Sequence, residues 1–155
     1  FGESVGWDFS IDTPMRRICD EYYLKTLLYH HLRRYEMTNI LDDGKHLTIE
    51  YGRTCSGTLE RDSGNISVMS NGIAIARNND RFIPVNECEI LAYSKSGGSM
   101  EWKLPTNWRG KGRIQVLRLA ESGREKEEKF TITDEGEIIL NLEPQQPYLI
   151  TRGNE

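Results

Sequence analysis

The chain lacks several features that would each point to a function class. Its three cysteines, Cys19, Cys55 and Cys88, lie far apart and form no CxxC pair, which argues against zinc and thioredoxin-type sites. No apolar run approaches the roughly 20 residues of a membrane span, and the mean hydropathy is -0.61. A balance of 20 basic against 24 acidic residues gives a net charge of -4, whereas nucleic-acid sites need clustered positive charge. We therefore expect free, buried thiols and neither a membrane nor a nucleic-acid partner.

Catalytic and metal-binding motifs are also missing. The sequence contains no G-x-S-x-G elbow, no P-loop and no G-x-G-x-x-G loop. His30 and His31 are adjacent, so on a helix they lie about 100° apart and cannot face one metal ion. Glu87 and Glu89 point to the same side of a predicted strand, at a separation a glycosidase pair can have, but any such i, i+2 pair does. The sequence therefore predicts no catalytic residue, no metal site and no cofactor, and it leaves calcium binding by a loop open.

One helix is predicted near the start of the chain. Residues 1–12 read as a glycine-rich loop, after which Thr13 and Pro14 have the pattern of a helix cap and first helical position. The helix is expected to run to about Arg34 and to be apolar around much of its circumference, which requires burial on more than one side. If only one side is covered, the chain is expected either to be unstable or to form a homo-oligomer through four residues of this helix: Tyr22, Leu24, Leu28 and Tyr29.

From residue 35 onward the apolar pattern has a period of two. Twelve short strands are predicted, separated by turn sequences, of which Asn71 and Gly72 fit a type I′ hairpin turn. Many short strands at this spacing are typical of a sandwich or barrel. We therefore predict a mainly β fold, an antiparallel β-sandwich over residues 35–155 preceded by a loop and one N-terminal helix over residues 1–34. The predicted strands span 35–41, 47–51, 56–61, 66–70, 73–77, 81–85, 89–94, 100–104, 113–120, 129–133, 138–142 and 148–152.

The most specific motif is WKLPTNW at positions 102–108. Trp102 shares an apolar strand face with Met100 and Leu104, and Trp108 follows a proline-containing turn, so both are expected to have structural roles. The alternative is that Trp102 and Trp108, with Tyr93, form an exposed platform on which a sugar stacks.

Several segments together resemble the region just after the catalytic barrel in endo-α-N-acetylgalactosaminidases, bacterial enzymes that release the core disaccharide of mucin-type O-glycans. Residues 23–35 are similar to the last barrel helix and its exit, and residues 1–3 and 6–7 to the loop after the last barrel strand. The segments that carry the resemblance downstream are 82–84 (FIP), 89–94 (EILAYS), 97–98 (GG), 102–108 (WKLPTNW), 116–120 (VLRLA), Gly123 and 147–148 (PY).

The resemblance implies a non-catalytic β-sandwich that packs against the barrel of an extracellular or cell-surface bacterial glycoside hydrolase acting on O-glycans or related α-glycosides. The helix would be the remnant of the end of a (β/α)8 barrel, with the barrel as partner and carbohydrate as candidate ligand. It also implies that Glu3, Trp7 and Asp8 lie near the barrel mouth and line the sugar site, although loop packing explains them equally well. The start at Phe1, without an initiator methionine, leads us to expect a piece of a longer protein. The rival interpretations are an autonomous carbohydrate-binding module and a structural or oligomerisation domain.

Overall fold

The fold, obtained as a computed structural model, is described for residues 14–109, 112–127 and 129–153. It is mainly β: one helical segment is followed by 13 strands, and every strand pair in this part of the chain is antiparallel. The predicted fold class, an antiparallel β-sandwich after an N-terminal helix, is confirmed.

Helix α1 covers residues 14–32 and contains a π-helical turn at its centre. It consists of Pro14–Glu21, the π turn Tyr22–Thr26 and Leu27–Leu32. A π turn changes the backbone hydrogen bonding of a helix, and here the Leu24 carbonyl accepts a hydrogen bond of 2.7 Å from Nε of the buried Arg81. The sequence predicted the helix but not this turn. Thr13, the predicted cap, lies outside the described residues.

The strand boundaries differ from the predicted ones by two residues or fewer. An additional strand, β10, lies in a charged segment for which no strand was predicted, and it forms one edge of its sheet. The strands are β1 Met37–Asp42, β2 His46–Tyr51, β3 Cys55–Glu60, β4 Ile66–Ser70, β5 Ile73–Arg77, β6 Asp80–Asn86, β7 Glu89–Ser94, β8 Gly98–Lys103, β9 Ile114–Ala120, β10 Gly123–Glu127, β11 Phe130–Ile132, β12 Glu137–Leu142 and β13 Tyr148–Arg152.

The strands form a large sheet and a small one. The large sheet has ten strands in the order β1-β2-β3-β4-β5-β6-β7-β13-β9-β10, and the small sheet has the order β11-β12-β8. Strands β1 to β7 thus form a continuous meander, while β13 is inserted between β7 and β9. Residues 105–108 connect the small sheet to β9 through a short 3-10 turn, Thr106–Trp108.

Two cores lie on opposite faces of the large sheet. Successive strand residues point to opposite faces, and on β6 Phe82 belongs to the core with the small sheet while Ile83 belongs to the core under α1. The first core includes Trp102, Trp108 and Tyr148. The molecule therefore has three layers: helix, large sheet and small sheet.

The helix is apolar on two sides, and the described residues cover one of them. Leu24 and Leu28 are buried within the domain, whereas Tyr22 and Tyr29 are exposed. Contact of the four residues with a second copy stays a prediction, and within this chain Leu24 and Leu28 are already buried between the helix and the large sheet. An outward contact is left to the two tyrosines and to Ile18, which is also exposed.

Candidate functional site

A cavity of about 520 Å³ opens where the end of α1 meets three turns. It falls in the size range of small-molecule sites. One wall is the C-terminal end of α1 and another is the β4–β5 turn. The β6–β7 turn and the 3-10 turn complete it. We call it the polar cavity and define it by His31, Ser70, Asn71, Glu87, Asn107 and Trp108.

The β4–β5 turn is the type I′ hairpin that the sequence predicts. Asn71 and Gly72 both have positive φ, 51° and 78°, the conformation this turn requires. The backbone N–H of Asn71 also donates a hydrogen bond of 2.9 Å to the Thr54 carbonyl in the preceding turn. The backbone that carries the Asn71 side chain is therefore fixed on both sides.

Trp108 joins the other two turns to each other. Its indole Nε1 donates a hydrogen bond of 2.9 Å to the carbonyl of Glu87 in the β6–β7 turn. The neighbouring Asn107 carbonyl accepts a hydrogen bond from the Arg152 guanidinium at the end of β13. Inside the β6–β7 turn, Asn86 Oδ1 accepts a bond of 2.8 Å from the Cys88 amide. These contacts place Glu87 and Asn107 on adjoining walls of the cavity.

A buried pair, His31 and Ser70, forms the inner end of the polar cavity. His31 Nε2 and Ser70 Oγ share a hydrogen bond of 2.9 Å. Burial lowers the pKa of His31 below its ordinary value, the Pro84 carbonyl partly opposes this, and the Arg34 charge lowers it further. His31 is therefore a neutral ring that ties α1 to β4.

Ser70 also contacts the thiol of Cys55, its cross-strand partner on β3. Burial raises the pKa of this thiol, and the Ser70 hydrogen bond partly offsets the rise. In a nucleophilic triad, a carboxylate hydrogen-bonds to the histidine and orients it as the base. No carboxylate among the described residues hydrogen-bonds to His31, so His31 and Ser70 lack this third group. His31 and Ser70 therefore form a structural contact between α1 and β4, and they give the cavity an uncharged inner end.

Four polar side chains at the cavity have unused hydrogen-bonding groups. Asn71, Glu87, Thr106 and Asn107 line the cavity and are exposed. No other described residue hydrogen-bonds to any of these four side chains. Their amide, carboxylate and hydroxyl groups are therefore available to a ligand.

The three aromatic residues proposed as a sugar platform lie in the interior. Their exposed fractions are 1% for Tyr93, 1% for Trp102 and 2% for Trp108. Tyr93 stacks on Tyr23, with ring centroids 5.0 Å apart, and its hydroxyl donates to the Asp20 carboxylate. A stacking platform needs an open ring face, so this burial favours the structural roles over the platform.

Trp102 is enclosed by two partners from the large sheet. Phe82 stacks on its ring with centroids 5.2 Å apart and planes inclined by 6°, and the Arg77 guanidinium carbon lies 4.4 Å from the ring centroid. Trp102 shares the interior with Leu104, which agrees with the apolar strand face read from the sequence, where Met100 is partly buried. Of the three aromatic candidates, only Trp108 reaches the polar cavity.

The remaining sequence candidates concern the start of the chain and possible metal ligands. Glu3, Trp7 and Asp8 lie outside the described residues. Within residues 14–109, 112–127 and 129–153, no three His, Cys, Asp or Glu side chains come together as metal ligands would. His46, for example, contacts Asp43 inside its own turn, with 3.1 Å between Nδ1 and Oδ2.

The polar cavity was not found from the sequence. Asn71 was recognised as a turn residue and Asn107 lies inside the WKLPTNW motif, but neither signal indicates that separate turns converge. No protein-family model matches the chain. Among the described helices, none is long and apolar enough to cross a membrane.

Proposed function

We propose that this chain is the non-catalytic β-sandwich domain of a bacterial glycoside hydrolase that acts on O-glycans or related α-glycosides. Its role is to pack against the catalytic barrel of the parent protein and support it. Since O-glycans are displayed outside cells, the parent enzyme would act extracellularly or at the cell surface. The resemblance of the motifs at 82–108 and 116–148 supports this assignment.

The observation that carries the proposal is the apolar outer side of α1. Ile18, Tyr22 and Tyr29 are 59%, 39% and 64% exposed, although the opposite side of the same helix is buried in the domain. Exposed apolar patches of this kind mark interaction surfaces. A helix at the end of a barrel would have one side toward the barrel and the other toward the following domain, which is the distribution that α1 has.

A second apolar surface lies on the same face of the large sheet as the helix. Residues directly opposite each other on neighbouring strands point to the same face, and Ile40, Ile49, Gly57 and Val68 form such a row across β1 to β4. Val68 is buried in the core under α1, while Ile40 at the sheet edge is exposed. A partner that covers the outer side of α1 can therefore extend onto β1 and β2.

The encoded sequence upstream of Phe1 provides the first test. A (β/α)8 barrel needs roughly 250 residues of alternating strand and helix patterns. An upstream sequence without these patterns would overturn the proposal.

The interface itself is tested in the protein that carries both parts. Tyr29→Asp places a charge in the proposed contact, so it should lower the melting temperature of the two-part protein and change that of the isolated chain much less. Ile132→Asp is the matched control, because Ile132 is an equally apolar exposed residue on the small sheet. Equal effects of the two variants on the two-part protein would contradict barrel packing on α1.

The isolated chain is expected to hydrolyse no aryl α-glycoside. Turnover that disappears in Glu87→Gln or Glu89→Gln would assign catalysis to this domain and overturn the non-catalytic role. The rival role, oligomerisation, would use the same side of α1. Sedimentation of the isolated chain at micromolar concentration distinguishes oligomerisation from packing against a barrel. A dimer that Tyr29→Asp dissociates would favour the rival.

A further inference from the structure

The polar cavity has three properties of a ligand site that its place in the fold does not require. Its volume suits a small molecule, its free polar groups come from separate turns, and those turns are fixed by hydrogen bonds. A ligand that meets groups already held in place loses less affinity to ordering the protein. The cavity is therefore prepared for binding rather than being a gap between loose loops.

The free side chains sit on backbone that other elements hold. The backbone of Asn71 is fixed by the turn and by the hydrogen bond from its backbone N–H to the Thr54 carbonyl. The backbone carbonyl of Glu87 accepts a hydrogen bond from the Trp108 indole. Asn107 is held through its carbonyl by Arg152. In each case one backbone group is hydrogen-bonded, whereas no described residue hydrogen-bonds to the side-chain amide or carboxylate.

The charges at the cavity limit the class of ligand. Arg34 and Glu87 are its charged members, and their opposite signs offset each other, so neither an anion nor a cation is favoured. The remaining polar groups are amides and hydroxyls, and apolar wall is supplied by Ile73 and Pro105. Small-molecule sites combine apolar walls with a few placed polar groups in this way.

Planar side chains with two polar atoms match ligands that carry neighbouring hydroxyl groups. An amide offers a donor and an acceptor side by side, and a carboxylate offers two acceptors. Asn71, Glu87 and Asn107 supply three such groups around one cavity. We infer that the polar cavity binds a neutral polyhydroxylated ligand, a saccharide residue, through Asn71, Glu87 and Asn107.

This site differs from the aromatic platform considered from the sequence. Trp108 lies buried in the cavity wall, where it positions Glu87 and Asn107. It does not offer an open ring face on which a sugar could stack. The buried His31 and Ser70 close the inner end, and the inference concerns ligand binding alone. The inference does not depend on a barrel, and it stands or falls separately from the proposed function.

Titration of the isolated chain with galactose and with N-acetylgalactosamine tests the inference, with glycerol as a polyol that lacks the ring. Tryptophan fluorescence reports on Trp108, and calorimetry gives the dissociation constant. A single sugar residue is small, so affinity in the millimolar range is expected. Glycerol should give no saturable signal.

The variants locate the site. Asn107→Ala and Glu87→Ala should each weaken sugar binding about tenfold, the loss expected for one well-placed hydrogen bond. Asn71→Gly removes the third amide while keeping a residue that accepts positive φ. Asn141→Ala, an exposed asparagine on β12 outside the cavity, is the control and should bind as the parent chain does.

Three outcomes would overturn the inference. One is the absence of saturable binding to either sugar, and another is binding that the cavity variants leave unchanged. The third is an NMR titration in which the chemical shifts of the cavity residues change with a short peptide and with neither sugar. That result would identify a peptide site instead. None of these results bears on whether α1 packs against a barrel.

Discussion

Replacing each core tryptophan by phenylalanine should cost the domain different amounts of stability. Trp102 and Trp108 are buried to nearly the same degree and belong to the same core, so the loss of ring volume is comparable in the two variants. They differ in the indole N–H. Trp108 Nε1 donates to the Glu87 carbonyl at 2.9 Å, whereas Trp102 Nε1 is buried and has no acceptor among the described residues.

The hydrogen bonding sets the expected difference. Trp108→Phe loses a hydrogen bond with a net worth of about 0.5–1.5 kcal/mol, while Trp102→Phe removes an unsatisfied buried donor that costs about 1–3 kcal/mol. Phenylalanine at position 102 also keeps the stacking on Phe82 and, in weaker form, the contact with Arg77. Trp108→Phe should therefore destabilise the domain by about 1.5–4.5 kcal/mol more than Trp102→Phe.

Urea unfolding followed by circular dichroism measures this difference from the midpoints, provided that the slopes agree. The alanine variants serve as controls, because each should cost about 3–5 kcal/mol if both rings are core residues. If Trp102→Phe is as costly as Trp108→Phe, then Trp102 Nε1 has a partner and the reasoning fails. An alanine variant at position 102 that costs little would contradict its place in the core.

The other predictions concern the attachment of the helix, pH and one turn. The pKa of His31 is lowered by burial, so below about pH 6.5 the unfolded state gains a proton that the folded state does not take up. The melting temperature should therefore fall as the pH is lowered from about 7.5 through the folded pKa of His31. His31→Gln should reduce this pH dependence of the melting temperature. If the variant keeps the same dependence, groups other than His31 cause it. Arg81→Met should cost about 1–3 kcal/mol because it removes the buried hydrogen bond to the Leu24 carbonyl, together with those to the Asn78 and Asp80 carbonyls, and hydrogen exchange should increase in α1 before it increases in β7. Protection that is unchanged in α1 would mean that the guanidinium does not hold the π turn. Gly97→Ala should destabilise the domain, since a Cβ there would lie 2.7 Å from Pro144 N at a φ of +69°, whereas Gly44→Ala has the φ penalty without the clash and should cost less in the same thermal melt.

Most of the strands could be predicted because a period of two is a local property of the sequence. The hairpin at Asn71 and Gly72 is the clearest case, since a type I′ turn depends on two residues that accept positive φ. Strand β10 was not predicted, because an edge strand with a charged face carries no apolar alternation. Its place is determined by pairing with β9, which is a tertiary contact.

Which side of the helix is covered could not be read from the helix itself. Leu24 and Tyr22 both belong to its apolar circumference, and only the sheet decides that the first is buried and the second exposed. The π turn has the same origin, as it accompanies a contact with Arg81, far away in the sequence. The polar cavity depends on four separate segments, so its free side chains became visible only when those segments were placed together.

The position of β13 in the large sheet has a consequence for synthesis on the ribosome. Strand β7 ends at Ser94, but the strand that pairs with its other edge begins at Tyr148. At about 5–20 residues per second, the nascent chain leaves the edge of β7 unpaired for roughly 3–10 seconds. During that interval the meander β1 to β7 can already form from neighbouring strands, while Ile90 and Ala92, destined for the interior, still lack the small sheet. Nascent chains arrested before Tyr148 should therefore recruit chaperones or associate through β7, and release of the last strand should end that period.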